Sequence, residues 1–193
     1  MKKTILFAAA LLAAAVSARA AEYTVDSGHS HVGFKVRHIV TKVPGGFKDY
    51  EAAFSFDPAK PEASKGKFTI KTASVDTGNA KRDEHLRSPD FFDAEKFPTI
   101  TYESAAFKPA GKDKYKLEGS FTMRGVTKPV AFDVEFTGLG KDPSGNNRAG
   151  FSATAKINRK DFGINWNKAL DTGGVILGDD VEIQLEIEAV EKK

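Results

Sequence analysis

From residue 21 onward, apolar side chains recur at every second position in run after run, and no long stretch sustains a helical period. A period of two puts successive side chains on opposite faces of a strand. With one face apolar it predicts antiparallel sheet buried on a single side. Glu22 to Asp26 opens the set, and Val32, Phe34 and Val36 then alternate with Gly33, Lys35 and Arg37. Tyr50, Ala52, Phe54 and Phe56 make the next face, closed by the Asp57-Pro58 turn and a Pro/Lys/Glu-rich loop to Ser64. Phe68, Ile70 and Thr72 follow, and a strand with Ile100 and Tyr102 starts after Pro98. Tyr115, Leu117, Gly119, Phe121 and Met123 run into "RGVT", and Val130, Phe132, Val134 and Phe136 run out of it, the pattern of a hairpin. Phe151, Ala153, Ala155 and Ile157 make another strand, and Val181 to Ala189 the last. About eight strands at short turn intervals predict a sandwich or an up-and-down barrel. One helix is expected, over residues 79–92 ("NAKRDEHLRSPDFF"), stopped by Pro89.

Residues 1–20 stand outside that pattern. Lys2 and Lys3, the 13-residue apolar run Thr4 to Val16, and Ala18-Arg19-Ala20 have the three parts of a cleavable export signal. A run that short does not span a bilayer, which takes roughly 20 helical residues. Cleavage after Ala20 is expected, leaving a single exported domain of residues 21–193. The chain carries 29 basic and 26 acidic residues; Lys2, Lys3 and Arg19 belong to the signal, so the domain holds 26 of each sign. That balance argues against a nucleic-acid partner, which needs a basic stripe on the folded domain. There is no cysteine, hence no disulfide and no thiol for a stable lipid anchor.

"HSHVGFKVRH" (residues 29–38) gathers three of the four histidines. On one strand, His29 and His31 share the face of Lys35 and Arg37, and His38 shares that of Val32, Phe34 and Val36. They do not converge, and no metal site is assigned. Asp142, Ser144 and Asn146 imitate a calcium loop but lack its Gly and Glu, and read as a hairpin loop. "DFG" at Asp161 to Gly163 has no kinase partner motif, and no nucleophile elbow, P-loop or H-E-x-x-H occurs. Asp83/Glu84 and Asp90/Asp93 read as a solvated helix face. No catalytic residue is assigned.

The interior carries more information. Phenylalanine supplies 15 residues, most on the apolar side of the alternation. An eight-stranded barrel either fills its interior with side chains or holds one small ligand. Small residues expected to face inward, at Ala52, Gly119, Ala153 and Ala155, would leave room.

Several segments, among them "HSHVGFKVRH", "GGFKDYEAAFSFD", "SVDTGNAKRDEHLRSPDFFDAEKFPTITYES", "GSFTMRGVTKPV", "INRKDFGI" and "GDDVEIQLEIEAV", resemble the YceI-like family of periplasmic lipocalin-like, polyisoprenoid-binding proteins across essentially the whole domain. The resemblance implies an extended eight-stranded antiparallel lipocalin-like barrel with one short helix, around a long apolar cavity. The implied ligand is a long-chain amphiphile: a polyisoprenoid, an isoprenoid quinone or a fatty amide. Beyond that lipid no cofactor is expected. A homodimer is a further implication of the resemblance; with no stable membrane anchor expected, transient membrane contact stays open. The cavity wall is assigned to Val32, Phe34, Val36, His38, Phe54 and Phe56 in the first half of the chain, with Phe68 and Ile70. Phe121, Phe132, Phe136, Phe151 and Trp166 complete it. The head group at the mouth is assigned to Arg82 and His85, which share a helix face with Leu86, and to Arg87. Trp166 and the glycine pair in residues 164–180 could form a gate or a dimer contact. Two other readings stay open: a stress-response interaction module whose barrel is filled, with its function on the loops, and an enzyme acting on an isoprenoid lipid with His85 or His38 as base.

Overall fold

The computed structural model describes residues 20–171 and 173–193, so the expected export signal, apart from Ala20, lies outside the described residues. Eleven antiparallel strands form one sheet: β1 (Ala21–Val25), β2 (His31–His38), β3 (Thr41–Phe47), β4 (Tyr50–Phe56), β5 (Lys65–Lys71), β6 (Val75–Asp76), β7 (Thr99–Gly111), β8 (Lys114–Met123), β9 (Val126–Lys141), β10 (Asn147–Asn158) and β11 (Leu177–Glu191). They make eight staves. β1 and β2 pair with successive stretches of β11, β3 and β4 are one stave broken at residues 48–49, and β5 continues into β6. Each stave pairs with its neighbour in sequence, and the pairing of β1 with β11 closes the ring; strand ends such as residues 41–45 of β3 are paired on one side alone.

β3 is absent from the alternation pattern because its core, Pro44-Gly45-Gly46, reads as a turn. Proline tolerates a strand only where one edge lacks a partner. Pro44 sits opposite Lys35, and β3 meets β6 only at Gly46 and Phe47.

All the residues linking one set of stave ends lie at what we call the upper end: the hairpin tip 39–40, residues 77–98, the β8–β9 turn and residues 159–176. Residues 57–64 and the β7–β8 and β9–β10 turns lie at the lower end. The helix α1 (Ala80–Arg87) belongs to the upper end. Asn79 caps it by accepting the Arg82 N–H at 3.1 Å. It stops five residues earlier than the sequence suggests, because Pro89 drives Ser88 into an extended conformation (ψ 168°). Residues 88–97 continue as hydrogen-bonded turns that bury Phe91 and Ala94. Arg124 and Gly125 both have positive φ (52° and 73°), the requirement of a type I′ hairpin turn. That turn projects the Arg124 guanidinium onto the carbonyls of Pro89 (2.9 Å) and Phe91, fastening the helical cap to the barrel.

The lower interior is packed with rings. Phe56, 2% exposed, lies 5.0 Å from Phe151, 5.1 Å from Phe136, 6.1 Å from Phe107 and 6.4 Å from Tyr115. Outward positions carry cross-strand ion pairs such as Lys67 with Glu103 and Lys116 with Asp133. Exposed pairs of this kind contribute about 0–1 kcal/mol each.

Candidate functional site

The upper half of the barrel encloses a cavity of about 490 Å³, within the range of small-molecule sites. Every stave contributes to its walls, with α1 and residues 164–177 around the top. Two ring placements keep it open. The Phe34 ring lies against Gly45, where a Cβ would approach to 2.4 Å, and the Tyr102 ring lies against Gly119, where a Cβ would approach to 2.6 Å. Glycine lets both rings fold down along the wall instead of projecting to the barrel axis. The room expected at Gly119 is therefore occupied by Tyr102. The Tyr102 hydroxyl sits 3.0 Å from the Leu117 carbonyl and 3.1 Å from that of Val130, within donating distance of both. Burial, and then the charge of Glu118, hold this phenol well above its usual pKa, so it remains a donor.

Nine of the thirteen expected wall residues line this cavity: Val32, Phe34, Val36 and His38, then Phe68, Ile70, Phe121, Phe132 and Trp166. Phe54, Phe56 and Phe151 line a second, lower cavity of about 140 Å³. The two spaces meet at a waist, since Phe68, Tyr102, Leu117, Ala153 and Leu185 border both. Phe136 borders neither; its ring packs on Phe56 and, at 5.4 Å, on Phe151. This corrects its assignment to the wall: strand parity turned it inward, but at a level where the barrel is full.

The exposed lining residues His38, Lys81 and Arg82 mark where the cavity reaches the surface. Arg82, His85 and Leu86 share the helix face that borders it, but Arg87 does not; its guanidinium points at the carbonyls of Ala73 and Val75, each 3.4 Å away. Helical spacing explains the correction, for Arg87 is one residue past Leu86 and about 100° around the axis. Arg82 is itself engaged, donating to the Thr77 hydroxyl (2.7 Å) and carbonyl (2.8 Å). His85 pairs with Asp90 at 2.9 Å and meets the Phe91 and Trp166 rings edge-on, at 4.9 and 5.1 Å.

Sequence reasoning missed Arg159, which is 3% exposed and borders the cavity. It donates to the carbonyls of Gly178 (2.9 Å), Ile164 and Trp166 (both 2.8 Å), with Asp179 at 3.3 Å. Burial lowers its pKa, opposed by Asp179, and a guanidinium stays charged nonetheless. It thereby pins the segment that presents Trp166. The signal was available: Arg159 continues the inward parity of Ala153, Ala155 and Ile157. Phe47, Phe91, Phe92 and Ile164 were also missed, because they sit on turns or on the unrecognised β3.

Among the described residues, one group has metal-ligand character: Asp26, His29 and Glu188. The Arg148 guanidinium already occupies it, 2.6 Å from Asp26, 2.5 Å from Glu188 and 3.1 Å from Asp142. Arg148, then His29, hold the Asp26 carboxyl down at about 2. His29 reaches this group because it lies in the break between β1 and β2, where strand parity does not apply; it touches Asp26 at 2.9 Å. His31 is exposed and leans over Gly33. The calcium-like loop is a hairpin loop whose Asp142 accepts from Asn146 and Arg148.

The YceI-like domain family matches residues 23–189. A UPF0312 protein of Azotobacter vinelandii is 46% identical over 169 residues, covering 85% of this chain and 88% of its own length. The crystal structure of Burkholderia cenocepacia BcnA superposes with a TM-score of 0.76 at 29% identity, covering 85% of this chain and 98% of that one. A polyisoprenoid binding domain from Saccharophagus degradans shares the fold alone, with a TM-score of 0.65 at 13% identity over 88% of this chain and 98% of that one.

Proposed function

Because this chain belongs to the family of YceI-like domains, we propose that it is an exported carrier that holds one long-chain amphiphile, first of all one with an isoprenoid tail, in the upper cavity. The observation that carries this reading is the asymmetry of the site: walls and floor that are apolar apart from Arg159, whose donors face backbone carbonyls, with Lys81, Arg82 and His85 at the rim. The tail lies along Phe34, Ile70, Phe121 and Phe132, and the polar head stays at the rim beside α1. Each buried methylene contributes about 0.8 kcal/mol. A twenty-carbon tail would gain on the order of 16 kcal/mol before ordering costs. Retention therefore needs no strong polar contact. The form of residues 1–20 supports export to the periplasm, and the polyisoprenoid binding of the Saccharophagus domain supports the tail chemistry. A filled barrel is disfavoured by a cavity of about 490 Å³.

Native mass spectrometry of the protein purified from its own periplasm, followed by organic extraction, tests the reading. A stoichiometric lipid adduct is expected. Trp166, the single tryptophan, borders the cavity, so its fluorescence should respond as farnesol or a quinone is titrated in. An empty protein whose Trp166 emission ignores both probes would overturn the proposal.

A further inference from the structure

Among the described residues, four large apolar side chains are exposed: Ile39 (41%), Val40 (88%), Leu139 (58%) and Val175 (39%). Three of them gather beside the cavity mouth. Ile39 and Val40 form the two-residue tip between the paired residues His38 and Thr41, and the Ile39 N–H donates to the Ile176 carbonyl at 2.7 Å, joining the tip to the stretch that carries Val175. The backbone makes this placement unusual. Ile39 has a φ of +54°, a conformation that β-branched residues avoid and that a turn with positive φ at its first position reserves for glycine. Fold stability would be better served by Gly followed by a polar residue. A strained, water-exposed Ile-Val pair points to a use outside the fold.

The charges around the tip indicate which surface it meets. Residues 35–43 contain Lys35, Arg37 and Lys42 and no carboxylate. Arg37 lies against the turn itself, donating to the Ile39 carbonyl at 2.8 Å. Lys81 and Lys168 are exposed on the neighbouring rim segments. The opposing acids are Asp179, which feels the charge of Arg37 but is paired with Lys160 at 2.9 Å, Glu182, which Lys42 neutralises at 2.6 Å, and Asp171. An apolar wedge ringed by cations is the form that inserts between lipid head groups of an anionic bilayer. We propose that the Ile39–Val40 tip docks the protein on an anionic bilayer surface, bringing His38 and the cavity mouth to the lipid. The purpose of the docking rests on the carrier reading above, since a long-tailed amphiphile is held in bilayers, but its occurrence can be tested separately.

The test is flotation of the mature protein with vesicles of phosphatidylcholine alone and of phosphatidylcholine mixed with phosphatidylglycerol. Wild type should float with the anionic vesicles, less with the neutral ones, and less again at high salt, which screens the cations. I39G/V40S supplies the residues the turn prefers, so it should melt no lower than wild type and lose about tenfold or more of its flotation. L139S, at the opposite end, should leave flotation unchanged. Flotation of I39G/V40S equal to wild type, or no flotation of wild type with either vesicle, overturns the proposal. So does a concentration-dependent dimer that I39G/V40S abolishes without any vesicle binding, which would assign the tip to a second copy. Farnesol titration followed by Trp166 fluorescence separates the two readings. I39G/V40S should bind farnesol as wild type does, and tip-dependent flotation without farnesol binding in either protein would remove the carrier reading while leaving the docking in place.

Discussion

At the lower end of the barrel Phe56 meets four rings, drawn from β7, β8, β9 and β10; at the upper end, among the described residues, Phe34 meets two, Phe47 on the adjacent stave at 5.8 Å and Phe92 from the cap at 6.5 Å. Both phenylalanines point inward from the same pair of staves, and both belong to runs of perfect alternation. The difference lies in what stands beside them. Phe34 is opposite Gly45 and lies flat on it, whereas Phe56 is surrounded by other large rings that reach the axis. Hollowness thus comes from glycines that let aromatic side chains fold onto the wall, and solidity from rings arriving at one level from several strands.

Truncating each ring gives the strongest test of that contrast. Phe56→Ala should cost about 3–5 kcal/mol, the range for a large core side chain, measured by urea denaturation. Phe34→Ala, whose ring already borders empty space, should cost less than half as much while weakening amphiphile uptake. Equal losses would mean that the upper half is as solid as the lower. A second test adds volume at the waist. Ala153→Phe would cost about 1–3 kcal/mol in a well-packed core, but beside two cavities it should cost less than that. It should also reduce the uptake of long tails more than that of short ones, read by Trp166 fluorescence across a chain-length series.

Smaller effects sharpen the boundary. Tyr102→Phe keeps the ring over Gly119 and removes a hydroxyl facing two carbonyls, so a loss of about 1 kcal/mol is expected, with the cavity unchanged in a crystal structure. The smallest concerns the ion cluster at the lower surface. Asp26 is held at about 2 against an ordinary 3.8. A carboxylate depressed by folding stabilises the protein fully above its unfolded value, and that stabilisation is lost as pH falls from about 3.8 toward 2. Arg148→Met removes the main cause of the depression, so acid unfolding followed by circular dichroism should begin at higher pH. An unchanged acid midpoint would show that the cluster is energetically idle.

Much of the barrel was legible because alternation is a local property, and a single strand reveals which of its residues face in. Val32, Phe34 and Val36, or Phe121 and Phe132, could be assigned to the interior from their own runs. The same rule missed β3, whose Pro44-Gly45-Gly46 mimics a turn, and it failed for His29, which lies in a break between strands. It could not rank inward residues by level, so Phe136 was assigned to the ligand although it belongs to the plug. Arg159 was passed over because a charged residue next to a turn suggests solvent, yet it is buried and its guanidinium donates to the loop carbonyls of Ile164 and Trp166 and to that of Gly178 on β11.

By itself the sequence determined an antiparallel sheet of about eight strands, the inner face of most of them, the position of the helical insertion and the apolar character of the interior. These follow from side-chain periodicity and turn chemistry within short windows. Only the tertiary structure decided that the upper half is open and the lower half closed, that the Arg82 and His85 face of the helix borders the mouth, and that a strained Ile-Val tip stands beside the opening. Those depend on the register between strands distant in sequence, which sets the rings that meet at one level of the barrel and the glycines that make room for them.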